Sequence, residues 1–219
     1  PFTIGRDTWY FANDKSFFGE TYSMKKGHKK LLESISSEIG QWNSNRFLHE
    51  DQFAGSCYGM CATALLTYYG LVLPQQLDED AKTLHDVGTG KNSEAESIES
   101  YINYYHVSQH FKTQRSNLFA YPDLPPIASI LACLEDGSPT IVSYKYAKGE
   151  HAVIAYGVTY GRYMVNNLTY DGKIQIYDPD HPDGDDTLCI YFKSFAPSEY
   201  CIPGRNAFSQ DETLTILSK

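Results

Sequence analysis

The chain has 219 residues, of which 42% are hydrophobic and 21% charged, and its formal net charge is −9. This composition predicts one folded domain, 1–219, and excludes a mostly disordered chain. The acidic balance argues against nucleic acid as a partner, because phosphate recognition needs clustered Lys and Arg. No apolar run reaches the roughly 18 to 20 residues that span a bilayer, so no membrane partner is expected.

The first part of the chain, 1–138, has helical periodicity. Apolar residues at spacings of three and four predict an amphipathic helix over 29–42. The segment 57–70 is apolar nearly all round, which predicts a buried helix that Gly70 ends. Capping residues and acidic or proline-containing first turns predict further helices at 78–87, 93–108 (capped by Asn92 or Ser93) and 126–135.

The remainder, 139–219, alternates β-branched and aromatic residues with a period of two, which indicates strands. The runs assigned to strands are TIVSYKY, HAVIAYGV, YMVNNLTY, KIQIYD, TLCIYF and TLTIL. Between them lie the Gly- and Asp-rich segments AKGE, TYGR, YDGK and DPDHPDGDD, which predict tight turns and hence an antiparallel sheet. Helices followed by strands predict an α+β fold with segregated layers.

The chain is rich in aromatic residues, with 18 Tyr and 11 Phe, and it contains five cysteines. We expect the aromatic rings to fill the core, with a surface that holds other chains as the alternative. The cysteines are too few for a disulfide scaffold. Cys189 and Cys201 are the candidate disulfide pair, with two buried free thiols as the alternative. Cys57 and Cys61 lack the spacing and the His partner of a zinc site.

Cys57 stands where a helix is predicted to begin, directly after Gly55 and Ser56. A thiol reacts as its thiolate, and a helix N-terminus with a nearby imidazolium stabilises that charge. The Cys57 backbone N–H and the Gln52 side-chain amide could together bind a developing oxyanion. Cys61 lies one turn into the buried helix and fits this role less well. The alternative for Cys57 is a small buried hydrophobic residue at a helix start.

His151 is the candidate general base, because it opens an apolar strand straight after a turn, where a sheet would fix the ring near the surface. Asp178 ends another strand at Pro179 and could hold the tautomer of His151 if the two strands are neighbours. Taken alone, Asp178 is more typical of a turn. An ordinary surface role is expected for the other histidines, which are His28, His49, His85, His106, His110 and His181.

These residues resemble a papain-like cysteine peptidase. Gln52 and the Gly-Ser-Cys-Tyr-Gly block over 55–59 are similar to the family's oxyanion Gln and to the Gly-Ser-Cys-Trp motif at the head of its central helix. Gly-Glu-His-Ala-Val around His151 resembles the strand that carries the family's His, and Tyr-Asp-Pro over 177–179 resembles the site of the third member. Tyr58 in place of Trp is a departure from the family's motif. The short separation of Cys57 from His151, and Asp178 in place of Asn, match a compact bacterial branch that resembles bacteriocin-leader peptidases.

The resemblance implies a papain-like two-layer fold, with a helical half at about 1–138 whose Cys-bearing helix packs on a sheet half at about 139–219. It implies a cysteine endopeptidase that acts on a protein or peptide substrate through Cys57, His151, Asp178 and Gln52. It involves no cofactor and no metal. Because the family is often exported by bacteria, it also implies an extracellular protein, to which other extracellular modules could be fused.

Two other classes of protein stay open. A papain-fold thiol acyl enzyme acting on other amides, such as a deamidase, a transglutaminase-like transferase or an amidase, shares the chemistry up to the thioester. A non-catalytic, Tyr-rich binding or adhesion module would not need all four candidate residues. The acidic run 178–186 could bind Ca²⁺, but a solvated turn is favoured because the run lacks the regular spacing and the closing Glu of an EF-hand loop.

Overall fold

The structure is a computed structural model, and it describes residues 1–35, 49, 51–88, 95–110, 124–209 and 215–218. The chain divides into two compact units. The sheet unit contains residues 1–2, 118–178 and 184–219, and the helical unit contains residues 3–117 and 179–183. In both units together, the described residues form a mixed α+β protein, as the sequence predicts.

The helical unit contains four α-helices among its described residues. They are α1 (Lys15–Phe18), α2 (Lys26–Ser34), α3 (Cys57–Tyr68) and α4 (Ala95–Ser108). The helices predicted from 57 and from 93 are confirmed, and Gly70 follows α3 with a φ of 70°. Helix α2 ends earlier than the predicted 29–42, whose part beyond Ile35 lies outside the described residues, as do the predicted caps Asn92 and Ser93.

The helix predicted over 78–87 is wrong. Only a single 3₁₀ turn forms there, at Leu84–Asp86. The Asp78 carboxylate accepts hydrogen bonds from the backbone N–H groups of Asp80 and Gly88, and Asp86 accepts from that of Thr83. Acidic side chains that bind nearby backbone donors compete with the helical hydrogen-bond pattern, so the same residues that suggested a helix start stabilise turns.

The core of the helical unit is built on aromatic rings. The Trp9 indole is fully buried and donates to the Met60 carbonyl and to Thr63 Oγ1 in α3, at 3.2 Å in each case. Other aromatic rings of this unit also pack in pairs. The ring of Phe18 is stacked on that of Phe53, with 4.8 Å between the centroids. Helices α3 and α4 approach closely at Gly59, where an added Cβ would lie 2.2 Å from the Ile102 carbonyl oxygen.

The sheet unit is an antiparallel sheet with one described helix. Helix α5 (Pro126–Glu135) has the predicted bounds, but it belongs to the sheet unit and not to the helical half in which it was predicted. The sheet has seven strands among the described residues, in the order β6, β5, β4, β3, β2, β1, β7. The strands are β1 (Thr140–Tyr146), β2 (Gly149–Val165), β3 (Leu168–Tyr177), β4 (Cys189–Lys193), β5 (Ala196–Ile202), β6 (Ala207–Phe208) and β7 (Thr215–Ser218).

The bounds of β2 and β3 correct the predicted turns. The run YMVNNLTY contains the connection between these strands, at Asn166 and Asn167, whose φ angles are 48° and 65°. Two successive residues with positive φ form the tight hairpin turn that Asn tolerates. The predicted turns TYGR and YDGK lie within the strands instead. Gly172 is needed there because it pairs with Phe192, whose ring carbon Cζ would be 2.5 Å from an added Cβ.

One face of the sheet carries the main core of this unit. Ile127 and Ile130 of α5 pack against apolar side chains that alternate along the strands, among them Val153, Ala155 and Ile176. Phe2 belongs to the same unit, and its ring lies 5.6 Å from that of Tyr156 and 6.4 Å from that of Tyr177. The described aromatic residues that are fully buried include Tyr22, Tyr144, Tyr170 and Tyr177, which confirms that many of the rings fill the core.

All five cysteines are free thiols, so the candidate disulfide between Cys189 and Cys201 does not form. Both residues are buried on the neighbouring strands β4 and β5, but Cys201 pairs with Tyr191, two positions beyond Cys189. Burial raises the pKa of each thiol. Separately, none of the helices in the described part of the chain is both long enough and apolar enough to cross a bilayer.

Candidate functional site

His151 and Asp178 form a buried hydrogen-bonded pair in the sheet unit. Their strands β2 and β3 are antiparallel neighbours, with Ile154 opposite Tyr177, which is the adjacency on which the predicted contact depends. His151 Nε2 lies 2.7 Å from Asp178 Oδ1. The imidazole is only 7% exposed, so it is buried rather than near the surface as expected. The structure therefore brings two of the four predicted site residues together.

Strand periodicity explains how the pair forms. Side chains two positions apart in a strand point to the same face, so His151 shares the core face of β2 with Val153 and Ala155. Asp178 directly follows β3, where Ile176 lies on that same core face. The pair therefore stands at the end of an apolar face, where burial strengthens an electrostatic contact.

Arg205 completes this cluster and was not among the residues predicted from the sequence. It lies in the 3₁₀ turn Pro203–Arg205 that follows β5. Its Nη2 donates to Asp178 Oδ2 and lies 3.4 Å from His151 Nε2. The two carboxylate oxygens are thus divided between the imidazole and the guanidinium. The available signal was a lone Arg in a Pro-Gly-Arg-Asn turn after a buried strand, which resembles the way Asp178 follows β3.

The cluster fixes the charge of Asp178 and the tautomer of a neutral His151. Burial alone would raise the pKa of Asp178, but the hydrogen bond and charge of His151, together with Arg205, outweigh it and lower that pKa to about 2. Asp178 is therefore a carboxylate at neutral pH. Because Oδ1 accepts the hydrogen on Nε2, a neutral His151 ring carries its lone pair on Nδ1. Nδ1 is then the nitrogen that can take up a proton.

Tyr144 packs against the imidazole from β1. It stands directly opposite His151 in the register of β1 and β2, and the two rings are 5.6 Å apart in an edge arrangement. Its hydroxyl is buried and has no hydrogen-bond partner among the described residues. Burial raises the pKa of Tyr144, so the hydroxyl stays neutral. The ring therefore restricts the orientation of His151 without adding a charge.

Cys57 is the first residue of α3, in the helical unit, as the sequence predicts. Cys57 is a partly exposed residue, whereas Cys61, one turn later, is fully buried. A helix offers no internal acceptor for the N–H groups of its first turn, so the Cys57 N–H is available to an anion. Ser56 does not cap these donors with its hydroxyl, which instead donates to Asn103 Oδ1 at 2.6 Å.

The segment that leads into α3 is held by hydrogen bonds to the segment that contains Tyr22. The Tyr22 hydroxyl donates to the Gly55 carbonyl at 2.8 Å and accepts from the Ala54 N–H at 3.2 Å. Gln52 forms an isolated β-bridge with Thr21, and its side chain is exposed. Gln52 and Cys57 are therefore held on a constrained segment of one unit, while His151 and Asp178 belong to the other.

The remaining candidates have local roles. In the acidic run, Asp185 accepts from the N–H and the hydroxyl of Thr187 at 2.8 and 2.6 Å, which is the pattern of a closed turn. Among the other histidines, His49 and His181 are exposed as expected. His28, His85, His106 and His110 are half-buried instead, and His106 Nδ1 accepts from the Gly59 N–H of α3 at 3.4 Å.

Comparisons of the chain with protein-family models, with curated proteins and with solved structures give no match in any of the three. What the structure defines by itself is a mixed α+β protein with a buried His–Asp–Arg cluster in one unit and a partly exposed helix-start cysteine in the other.

Proposed function

We propose that the protein is a papain-like cysteine peptidase that hydrolyses peptide bonds with Cys57 as nucleophile and His151 as general base. The observation that carries this proposal is the buried hydrogen bond between His151 Nε2 and Asp178 Oδ1, which directs the basic lone pair to Nδ1. A carboxylate that orients an imidazole is the support that an activated thiol requires. The finer fold assignment, a papain-like two-layer arrangement, is part of the same proposal.

The chemistry proceeds in two stages. His151 Nδ1 takes the proton from Cys57, and the Sγ thiolate attacks the carbonyl carbon of the substrate. The Cys57 N–H and the Gln52 amide stabilise the oxyanion. His151 then protonates the leaving amine as the C–N bond breaks, which leaves a thioester on Cys57. Water, deprotonated by His151, attacks the thioester carbonyl, and the acid and the thiol are released.

The substrate in this scheme is a protein or peptide. No step uses a cofactor, because the nucleophile, the base and the oxyanion donors are all side chains or backbone of the chain itself. An extracellular location and bacterial origin belong to the proposal only through the resemblance of the Cys57 and His151 segments to exported peptidases.

A peptide-library digest followed by mass spectrometry tests the proposal. We expect backbone cleavage by the wild-type protein, its loss in Cys57→Ala, and its retention in Cys61→Ala, which removes the neighbouring buried thiol of the same helix. Release of ammonia from Gln side chains without backbone cleavage would instead show a thiol acyl enzyme of the deamidase type. Absence of both reactions would favour the non-catalytic binding module.

Alkylation of the thiols gives an independent reading. Cys57 and Cys133 are partly exposed, and the other three cysteines are buried. Burial raises the pKa of Cys133, so it is the matched control for access without activation. We expect iodoacetamide near neutral pH to label Cys57 well before Cys133. Equal or slower labelling of Cys57 would count against an activated thiolate.

A further inference from the structure

Asn13 joins two chain segments within the helical unit, and no part of the mechanism above accounts for it. Its Oδ1 accepts a hydrogen bond from the Ser56 N–H at 2.6 Å, and its Nδ2 donates to Asp180 Oδ1 at 3.1 Å. Its own backbone N–H donates to the Pro179 carbonyl at 2.9 Å. One residue therefore binds the position before Cys57 and the first two positions after Asp178.

The neighbouring backbone is shaped around this amide. Gly55 has a φ of 108°, and a Cβ at this position would lie 3.2 Å from Asn13 Nδ2. Glycine is thus favoured both by the backbone conformation and by the room that Asn13 occupies. The Tyr22 hydroxyl holds the carbonyl of the same glycine. The peptide between Gly55 and Ser56 is consequently bound at both of its polar groups, directly before the helix that carries Cys57.

We propose that Asn13 is a positioning residue. It holds the segment that enters α3 at a fixed distance from the segment that follows Asp178. The inference rests on the proposed function in that it takes Cys57 and Asp178 as site residues. The side chain must be an amide, because it accepts from one segment and donates to the other at the same time. Asp would keep the acceptor for Ser56 but lose the donor for Asp180, and Ala would lose both.

This chemistry permits a reversal test. Asn13→Asp places a carboxylate against Asp180 and breaks that bond, whereas Asn13→Asp combined with Asp180→Asn restores it with donor and acceptor exchanged. The single variant is expected to lower kcat by about tenfold or more with KM nearly unchanged, because a small misplacement of a nucleophile acts on the chemical step. The double variant is expected to recover kcat to within about threefold of wild type.

The control for this test is Asp183→Asn combined with Asn13→Asp. Asp183 is exposed in the same turn as Asp180. This double variant therefore has the same net charge as the reversal pair, but its second substitution is not at the partner of residue 13. Recovery by the Asp183 pair as well would show a general charge effect and overturn the proposal, as would equal kcat values in Asn13→Asp and in the reversal pair. Urea unfolding of each variant reports its stability, and Asp180→Ala, which removes the acceptor of the Asn13 Nδ2 bond, replaces any variant that does not fold.

Two readouts separate this inference from the proposed function. Should the wild-type protein cleave no peptide, Cys57 alkylation and hydrogen exchange of the Ser56 amide still report the Asn13 contact. We expect Asn13→Ala to speed exchange of the Ser56 amide by at least about tenfold and to change the rate of Cys57 alkylation. Wild-type values for both would reject the positioning role, whatever the outcome of the cleavage assay.

Discussion

Asp178 divides its two carboxylate oxygens between an imidazole and a guanidinium, and all three side chains are largely withdrawn from water. A buried carboxylate is costly unless it is paired, and removing one partner leaves an uncompensated charge. Arg205 and His151 together therefore allow Asp178 to remain ionised next to the proposed base.

Replacing Arg205 tests this dependence. Arg205→Met leaves the Asp178 carboxylate buried with His151 as its remaining polar partner of the cluster, and we expect it to lower the free energy of unfolding by about 3 to 5 kcal/mol. Arg205→Lys keeps the charge but not the planar fork, so its loss should be smaller. Urea unfolding at neutral pH measures both. Equal losses in the two variants would show that the geometry of the guanidinium matters and that its charge does not.

The sequence allowed the His151–Asp178 contact to be predicted, but not Arg205. Each member of the predicted pair stands at an end of an apolar strand, and adjacency of two strands is enough to join them. Arg205 reaches Asp178 from a turn beyond β5, and β5 itself was not predicted. A long-range contact of this kind depends on the order of strands in the sheet, which local periodicity does not contain.

At the scale of elements, α3 was predicted well because its apolar composition agrees with the buried position of most of its first eight residues. Within this helix, the structure gives Gly59 a packing role that the sequence did not indicate. An added Cβ would lie 2.2 Å from the Ile102 carbonyl oxygen and 2.9 Å from the His106 backbone nitrogen. Gly59 therefore sets the distance between α3 and α4, and helix pairs that touch at backbone level tolerate no larger residue.

Two alanine substitutions distinguish this packing role from helix propensity. Gly59→Ala should destabilise the protein by about 1 to 3 kcal/mol or more, because rigid backbone rather than a movable side chain occupies the space. Gly27→Ala, in the exposed part of α2 where an added Cβ meets nothing within 4 Å, should stabilise it by about 0.5 to 1 kcal/mol. Thermal unfolding of the two variants checks the signs. Stabilisation by both would contradict the close approach of the helices.

The sheet shows where local composition misleads. Gly and Asp marked TYGR and YDGK as turns, yet both segments lie in paired strands. Gly172 is there because Phe192 fills the space above it on the neighbouring strand. The real turn, at Asn166 and Asn167, was hidden inside an apparently continuous strand. Composition identifies residues that permit a turn, whereas the partner strand decides which of them make one.

At the scale of the whole molecule, acid should weaken the fold through Asp178. Its pKa falls from the ordinary 3.8 to about 2 on folding, so the folded state favours the ionised form. The resulting stabilisation is complete above the unfolded pKa and is lost as the pH falls from about 4 to about 2, an effect of about 2 kcal/mol. The difference in unfolding free energy between wild type and Asp178→Asn should therefore shrink across this range. A constant difference from about pH 7 to about pH 2 would refute it.

The two units are interleaved along the chain. Residues 179–183 count with the helical unit, although the sequence on both sides of them belongs to the sheet unit, and Phe2 packs with the strands while Thr3 belongs to the helices. Cutting the chain at any single peptide bond therefore leaves the residues of at least one unit divided between two fragments. A fragment that starts at 118 would lack Phe2, whose ring packs near that of Tyr177. A fragment that ends at 117 would lack the Pro179 carbonyl and the Asp180 carboxylate, which accept hydrogen bonds from Asn13. Attempts to produce either unit alone should fail for this reason, whereas mixing the two fragments offers each the pieces that it lacks.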